Sequence, residues 1–177
     1  MFVDSHCHLT LPELAGNLPA IQDAMRAAQV DRALCICTTL EEFPEVHALA
    51  MSHNNLWATV GVHPDQEPGE ALQEPSLSDL LTRGQLPRVV AIGETGLDYY
   101  RLGERTVADV AWQRERFAIH IQAARQLQKP LVIHTRSTSD DTLAVLKAQG
   151  EDGSAGSAGG VFHCFTESVD VARAALD

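Results

Sequence analysis

Short apolar runs recur along the chain, separated by stretches in which apolar and polar residues alternate with a helical period. The runs are Phe2–His6, Ala33–Cys37, Leu56–Val62, Val89–Gly93, Leu131–His134 and Gly160–Cys164. Val, Ile, Leu and Phe dominate them, which predicts strands buried on both faces, as in a parallel sheet. Helices are expected between most of them. Asn17 stands where it can cap a helix with Pro19 in its first turn, and Ile21, Ala24, Met25 and Ala28 share one face of it. Further helices are expected over Glu41–His53, Ser76–Thr82, Thr106–Gln128, Asp140–Ala148 and Ser168–Asp177. Residues Pro68–Pro75 read as a loop. The segment from Gly150 to Gly160 is rich in Gly, Ser and Ala and reads as a flexible connection without function.

Strand midpoints recur every roughly 24 to 42 residues, the scale of one βα unit. About six such units are visible. Two α/β architectures fit this rhythm: an incomplete (β/α)8 TIM-type barrel, or a doubly wound open sheet. The 177 residues fall short of the ~250 typical of a complete barrel.

Composition narrows the function classes. The chain is 45% hydrophobic and 21% charged, which excludes charge-driven disorder. No run of ~18 apolar residues offers a membrane span. Lys and Arg number 13 against 24 Asp and Glu, a net charge of −11. Without a basic cluster, nucleic acid is not held by bulk attraction, and a phosphate ligand needs a local cation such as a bound metal ion. Cys7, Cys35, Cys37 and Cys164 lack zinc or redox spacing. The opening MFVDSHCHLT has neither a basic nor an apolar leader region. A reducing, cytoplasmic setting with free thiols is expected.

Candidate chemistry gathers at strand ends. In Asp4-Ser5-His6-Cys7-His8, strand alternation points Asp4, His6 and His8 to one side and Cys7 to the other. Two imidazoles so placed suit a metal ion with a carboxylate to orient them, or are simply a hydrogen-bonded strand end. His63, Glu94, His134 and His163 also stand at C-terminal strand ends, where α/β sheets present catalytic groups. Histidines and a bridging carboxylate can hold two divalent ions ~3.5–4 Å apart, acidify a water and clamp a phosphoryl or carbonyl oxygen. Zn²⁺, Mn²⁺ and Co²⁺ suit such ligands better than Mg²⁺. His47, His53 and His120 read as helix-surface residues, and the cysteines as packing residues. Glu94-Thr-Gly-Leu-Asp-Tyr-Tyr-Arg101 reads as a polar loop after a strand, with Asp98 read as capping the turn or pairing with Arg101 in preference to supporting a metal ligand. Arg101 and Arg136 at the same rim are open between a phosphate contact and a structural role.

Taken in order, VDSHCHL (3–9), GVHP (61–64), GETGLDYYR (93–101), KPLVIHTR (129–136), DDTL (140–143) and GGVFHCFTES (159–168) resemble the TatD-type metal-dependent deoxyribonucleases of the amidohydrolase superfamily. The resemblance covers essentially the whole chain. It implies a (β/α)8 barrel with a two-metal site at the strand C-terminal face. The ligands would be His6, His8, Glu94, His134 and His163, with Glu94 bridging two divalent ions (Mg²⁺, Mn²⁺ or Zn²⁺) as the catalytic carboxylate. His63, Arg101 and Arg136 would face the substrate. The implied activity is phosphodiester hydrolysis of DNA, single-stranded and 3′→5′, with neither a membrane nor a stable protein partner. Thr95 stands where the family usually has an apolar residue, and Thr135 where Ser is commoner.

The family pattern continues beyond Asp177 with a Thr-Asp-x-Pro-type motif. Residues 1–177 are therefore expected to form a single metallo-hydrolase barrel domain lacking its last two βα units, poorly stable and weak or inactive as an enzyme on its own. Two other readings stay open. One is an amidohydrolase acting on a cyclic amide or ester, which usually uses a carboxylated Lys where Glu94 stands. The other is a non-catalytic remnant.

Overall fold

The computed structural model describes residues 1–69 and 72–176. The expected loop at 68–75 thus falls partly outside the described residues, as does Asp177 at the end of the expected last helix.

Six strands form one sheet: β1 (Phe2–Cys7), β2 (Val30–Cys35), β3 (Leu56–Val60), β4 (Val89–Asp98), β5 (Leu131–Arg136) and β6 (Gly160–Phe162). Their order in space is their order in sequence, and every neighbouring pair is parallel. A doubly wound sheet reverses direction at a switch point, whereas this one never does. It is a curled half-barrel, the incomplete (β/α)8 architecture.

Helices α1 (Pro12–Ala15), α2 (Leu18–Ala27), α3 (Phe43–Ser52), α4 (Leu77–Gly84), α5 (Ala111–Leu127), α6 (Ser139–Ala148) and α7 (Val169–Leu176) alternate with the strands. The short α1 was not anticipated. At α4, the Asp79 amide donates to Ser76 Oγ and the Ser76 amide to the Asp79 carboxylate, a reciprocal cap. Asn17 stands at the start of α2 but makes no side-chain capping bond. The helix expected from Thr106 begins instead as a 3₁₀ turn, Val107–Val110, before α5 takes over.

The main core lies between sheet and helices, with Leu56, Val60, Leu80, Ile92, Phe117 and Ile121 fully buried. A smaller cluster of Ile36, Ala91 and Val132 lies on the other face. Val132 precedes His134 by two residues on β5, so this cluster floors the face that carries the histidines.

The chief departure from expectation is β4. Glu94 to Asp98, read as a loop, stays in the strand and pairs with β5 through Thr95–Ile133, Gly96–His134, Leu97–Thr135 and Asp98–Arg136. Gly96 makes this possible: its φ is +132°, and a Cβ there would collide with the His134 carbonyl oxygen. The glycine-rich segment is also tied down. The Arg125 guanidinium binds the Gly150 carbonyl and the Glu151 carboxylate, which accepts the amides of Ala158 and Gly159. Cys164 falls beyond β6 and is exposed, so it is not a packing residue; Cys35 and Cys37 are buried.

Candidate metal centre

The C-terminal ends of the strands converge on Glu94, which is 2% exposed. Its two oxygens face different partners. Oε2 lies 3.2 Å from His6 Nε2 and 3.9 Å from His8 Nε2. Oε1 lies 3.1 Å from His63 Nε2, 3.2 Å from His134 Nδ1 and 2.7 Å from His163 Nε2. Two ligand groups result, His6–His8–Glu94 and His63–Glu94–His134, with Glu94 common to both.

Each part reaches this point for a local reason. His6 and His8 are two apart at the end of β1 and share a face. Asp4, expected to orient them, accepts the His6 backbone amide at 3.1 Å instead. Between them Cys7 turns toward β2, its thiol donating to the Leu34 carbonyl. Glu94 approaches the cluster because β3 and β4 nearly touch. A Cβ on Gly61 would lie 2.5 Å from the Gly93 carbonyl carbon. His163 is aligned by its backbone amide, which donates to the Ile133 carbonyl at 3.1 Å.

Carboxylates behind two rings fix which nitrogen faces inward. His134 Nε2 donates to Asp98 Oδ2 at 3.0 Å, leaving Nδ1 for the cluster. His63 Nδ1 donates to Asp65 Oδ1, leaving Nε2. The inward nitrogens then face one another: His134 Nδ1 is 3.2 Å from His63 Nε2 and 3.3 Å from His163 Nε2. In the neutral form that a metal ligand requires, imidazoles oriented this way point their lone pairs at one shared space. Among the described residues, His6 Nδ1 is buried with no hydrogen-bond partner. Such a donor set fits divalent metal ions, whose charge the converging lone pairs and the carboxylate would share.

Burial alone would raise the Glu94 carboxyl. The imidazoles of His134, His163, His6 and His63 override it and hold the group well below the usual carboxylate range. Burial pulls His63 down, but the carboxylates of Asp65 and Glu94 lift it to about 9. Burial lowers His8, with Glu94 opposing.

Sequence reasoning missed three supports. Asp98 orients His134 rather than pairing with Arg101. Asp65, four residues after Gly61, backs His63. His120, read as a surface residue, is fully buried on α5: its Nε2 accepts the Val62 amide at 3.0 Å and its Nδ1 donates to the Arg116 carbonyl at 2.8 Å. Buried Arg116, one turn earlier, donates to the carbonyls of His63 and Gln66. Of the two rim arginines, Arg136 stacks on Tyr100, while Arg101 is exposed; the hydrogen bond from His63 lowers the Asp65 carboxyl, and the charge of Arg101 adds to it. An apolar groove of about 950 Å³ lies between β6, α6 and α7, and none of the clustered histidines lines it.

The model of the family described as TatD related DNase matches residues 3–177. The chain belongs to the TatD family. Its relatives include a metal-dependent hydrolase of Escherichia coli K12, YcfH, 37% identical over 99% of this chain and 63% of the relative. Another, from Klebsiella pneumoniae, is named 3′-5′ ssDNA/RNA exonuclease TatD and is 30% identical over 98% of this chain and 62% of its own length. The solved TatD homologue YjjV of Escherichia coli superposes with a TM-score of 0.83 at 27% identity, covering 99% of this chain and 64% of that one. The chain thus spans less than two thirds of the length of these TatD relatives. No helix among the described residues is long and apolar enough to cross a membrane.

Proposed function

We propose that this chain carries the catalytic half-barrel of a divalent-metal phosphodiesterase acting on single-stranded DNA, removing nucleotides from the 3′ end in a reducing, cytoplasmic setting. The observation that carries it is Glu94, whose two oxygens serve two imidazole groups. A carboxylate so divided suits two ions held by His6 and His8 on one side and by His134 and His163 on the other. Divalent ions bound there would polarise a phosphoryl oxygen and acidify a water.

The protein's own groups do the rest. Glu94 holds the two sides in register and balances their charge. Asp98 keeps His134 in the tautomer that faces the cluster. His63, backed by Asp65, stands on the substrate side against the same Glu94 oxygen. Arg101 and Arg136 supply guanidinium groups at the rim for a phosphate. The relative named as an exonuclease supports DNA or RNA as the substrate class. The free thiols support the reducing setting.

The test is metal titration followed by hydrolysis. With Mn²⁺ or Mg²⁺, a single-stranded oligonucleotide is expected to shorten from its 3′ end, while a dihydropyrimidine is left intact. Cleavage of the cyclic amide alone would overturn the reading.

A further inference from the structure

Tyr100 and Arg136 stand one step above the Asp98–His134 pair, at the mouth of the site. Asp98 is the register partner of Arg136, and the Tyr99 amide donates to the Arg136 carbonyl at 3.0 Å. Arg136 follows His134 by two residues. It therefore leaves β5 on the same face, about 6–7 Å further toward the mouth. The Tyr100 amide donates to Asp98 Oδ1 at 2.8 Å, while Oδ2 of that carboxylate holds His134. The tyrosine is tied to the ligand cluster through a single side chain.

The Arg136 guanidinium carbon lies 3.6 Å from the centre of the Tyr100 ring. That contact occupies one face of the ring and fixes the guanidinium beside it, with N–H groups left at its edge. Tyr100 as a whole is 60% exposed. A flat aromatic face next to a fixed cation, a step from a phosphodiester-cleaving site, matches the chemistry of a nucleotide: a base to stack and a phosphate to pair.

We infer that Tyr100 and Arg136 form the first nucleotide subsite outside the metal centre, with an unpaired base stacked on the Tyr100 ring and Arg136 on the adjoining phosphate. This rests on the phosphodiesterase reading and gives it a physical basis for single strands, because only an unpaired base can lay its face on the ring. It also answers the charge problem. A chain of net charge −11 gains little from bulk attraction to a polyanion, and stacking is indifferent to that charge. Because every base has a π-face, the subsite is tolerant of sequence.

The test uses the Mn²⁺-loaded chain and a single-stranded phosphorothioate oligonucleotide carrying 2-aminopurine, beside the same oligonucleotide with abasic residues in place of bases. Wild-type protein is expected to quench the 2-aminopurine fluorescence. It should bind the base-containing strand about 5- to 100-fold more tightly than the abasic one. Tyr100→Ala should lose both the quenching and the preference for bases over the abasic strand, and Tyr100→Trp should retain both. A preference for bases that survives in Tyr100→Ala overturns the inference. Wild-type protein that binds the single strand no more tightly with Mn²⁺ or Mg²⁺ than in EDTA overturns the phosphodiesterase reading. Metal-dependent binding without any effect of Tyr100 overturns the stacking step alone.

Discussion

A histidine holds a cation with the nitrogen it leaves unprotonated, and the atom behind the ring makes that choice. Asp98 makes it for His134 and Asp65 for His63. Asp98→Asn keeps the shape but removes the acceptor charge, so metal binding should weaken by about 10- to 100-fold, read by titration calorimetry. Glu94→Gln should act more broadly, because both halves of the cluster share that carboxylate. Tight binding should be lost at both, and one ion retained at wild-type affinity would restrict Glu94 to one half. At this scale the sequence was informative where a residue announces its own chemistry. His-x-His and the histidines closing apolar strands could be found by type and position. Asp98 could not, because its partner His134 lies on the next strand and only the β4–β5 register brings them together. His120 failed for the opposite reason. Its helical position suggested solvent, and only the packing of α5 against the loop after β3 shows that it accepts a backbone amide in the core.

That packing makes α5 more than a cover for the sheet. Its residues Arg116 and His120 hold the backbone on both sides of the His63 Cα, through the Val62 amide and the His63 carbonyl. Burial lowers His120 to about 4, against an ordinary value of 6.5. The unfolded chain therefore takes up a proton before the folded one does. The stability tied to this residue is complete above pH 6.5 and is lost as the pH falls toward 4, by roughly 3 kcal/mol across that window. His120→Gln offers the same acceptor and donor without titrating. Its thermal midpoint should fall less steeply than that of wild type between pH 6.5 and pH 4. Parallel profiles would show that His120 does not titrate with folding. The strand β4 shows why element boundaries were harder to read than element identities. Its end carries Glu94 and Asp98, polar residues that look like a loop, yet both are buried because their partners are other site residues.

Across the whole molecule, the repeat of strand and helix was legible, and the family resemblance pointed to the barrel where periodicity alone left an open sheet equally possible. Periodicity gives the units, and only the sequential strand order separates the two. Charge is the other property of the whole, and it constrains how the proposed DNA substrate would bind. With a net charge of −11, the surface repels a polyanion, and attraction must come from the metal centre and the few cations at its rim. If Arg101 and Arg136 are the protein groups that neutralise phosphates, the counterion term for a single strand has two contributors. The logarithm of the binding constant should then fall with the logarithm of salt concentration at a slope of about −1.4. Removing divalent ions with EDTA should abolish binding at every salt concentration, since the arginines alone cannot offset the surrounding carboxylates. Fluorescence anisotropy of a labelled single strand checks both statements. A steep slope, or binding that survives EDTA, would place the contact on a basic surface away from Glu94, and the two-sided carboxylate would no longer explain how this chain engages nucleic acid.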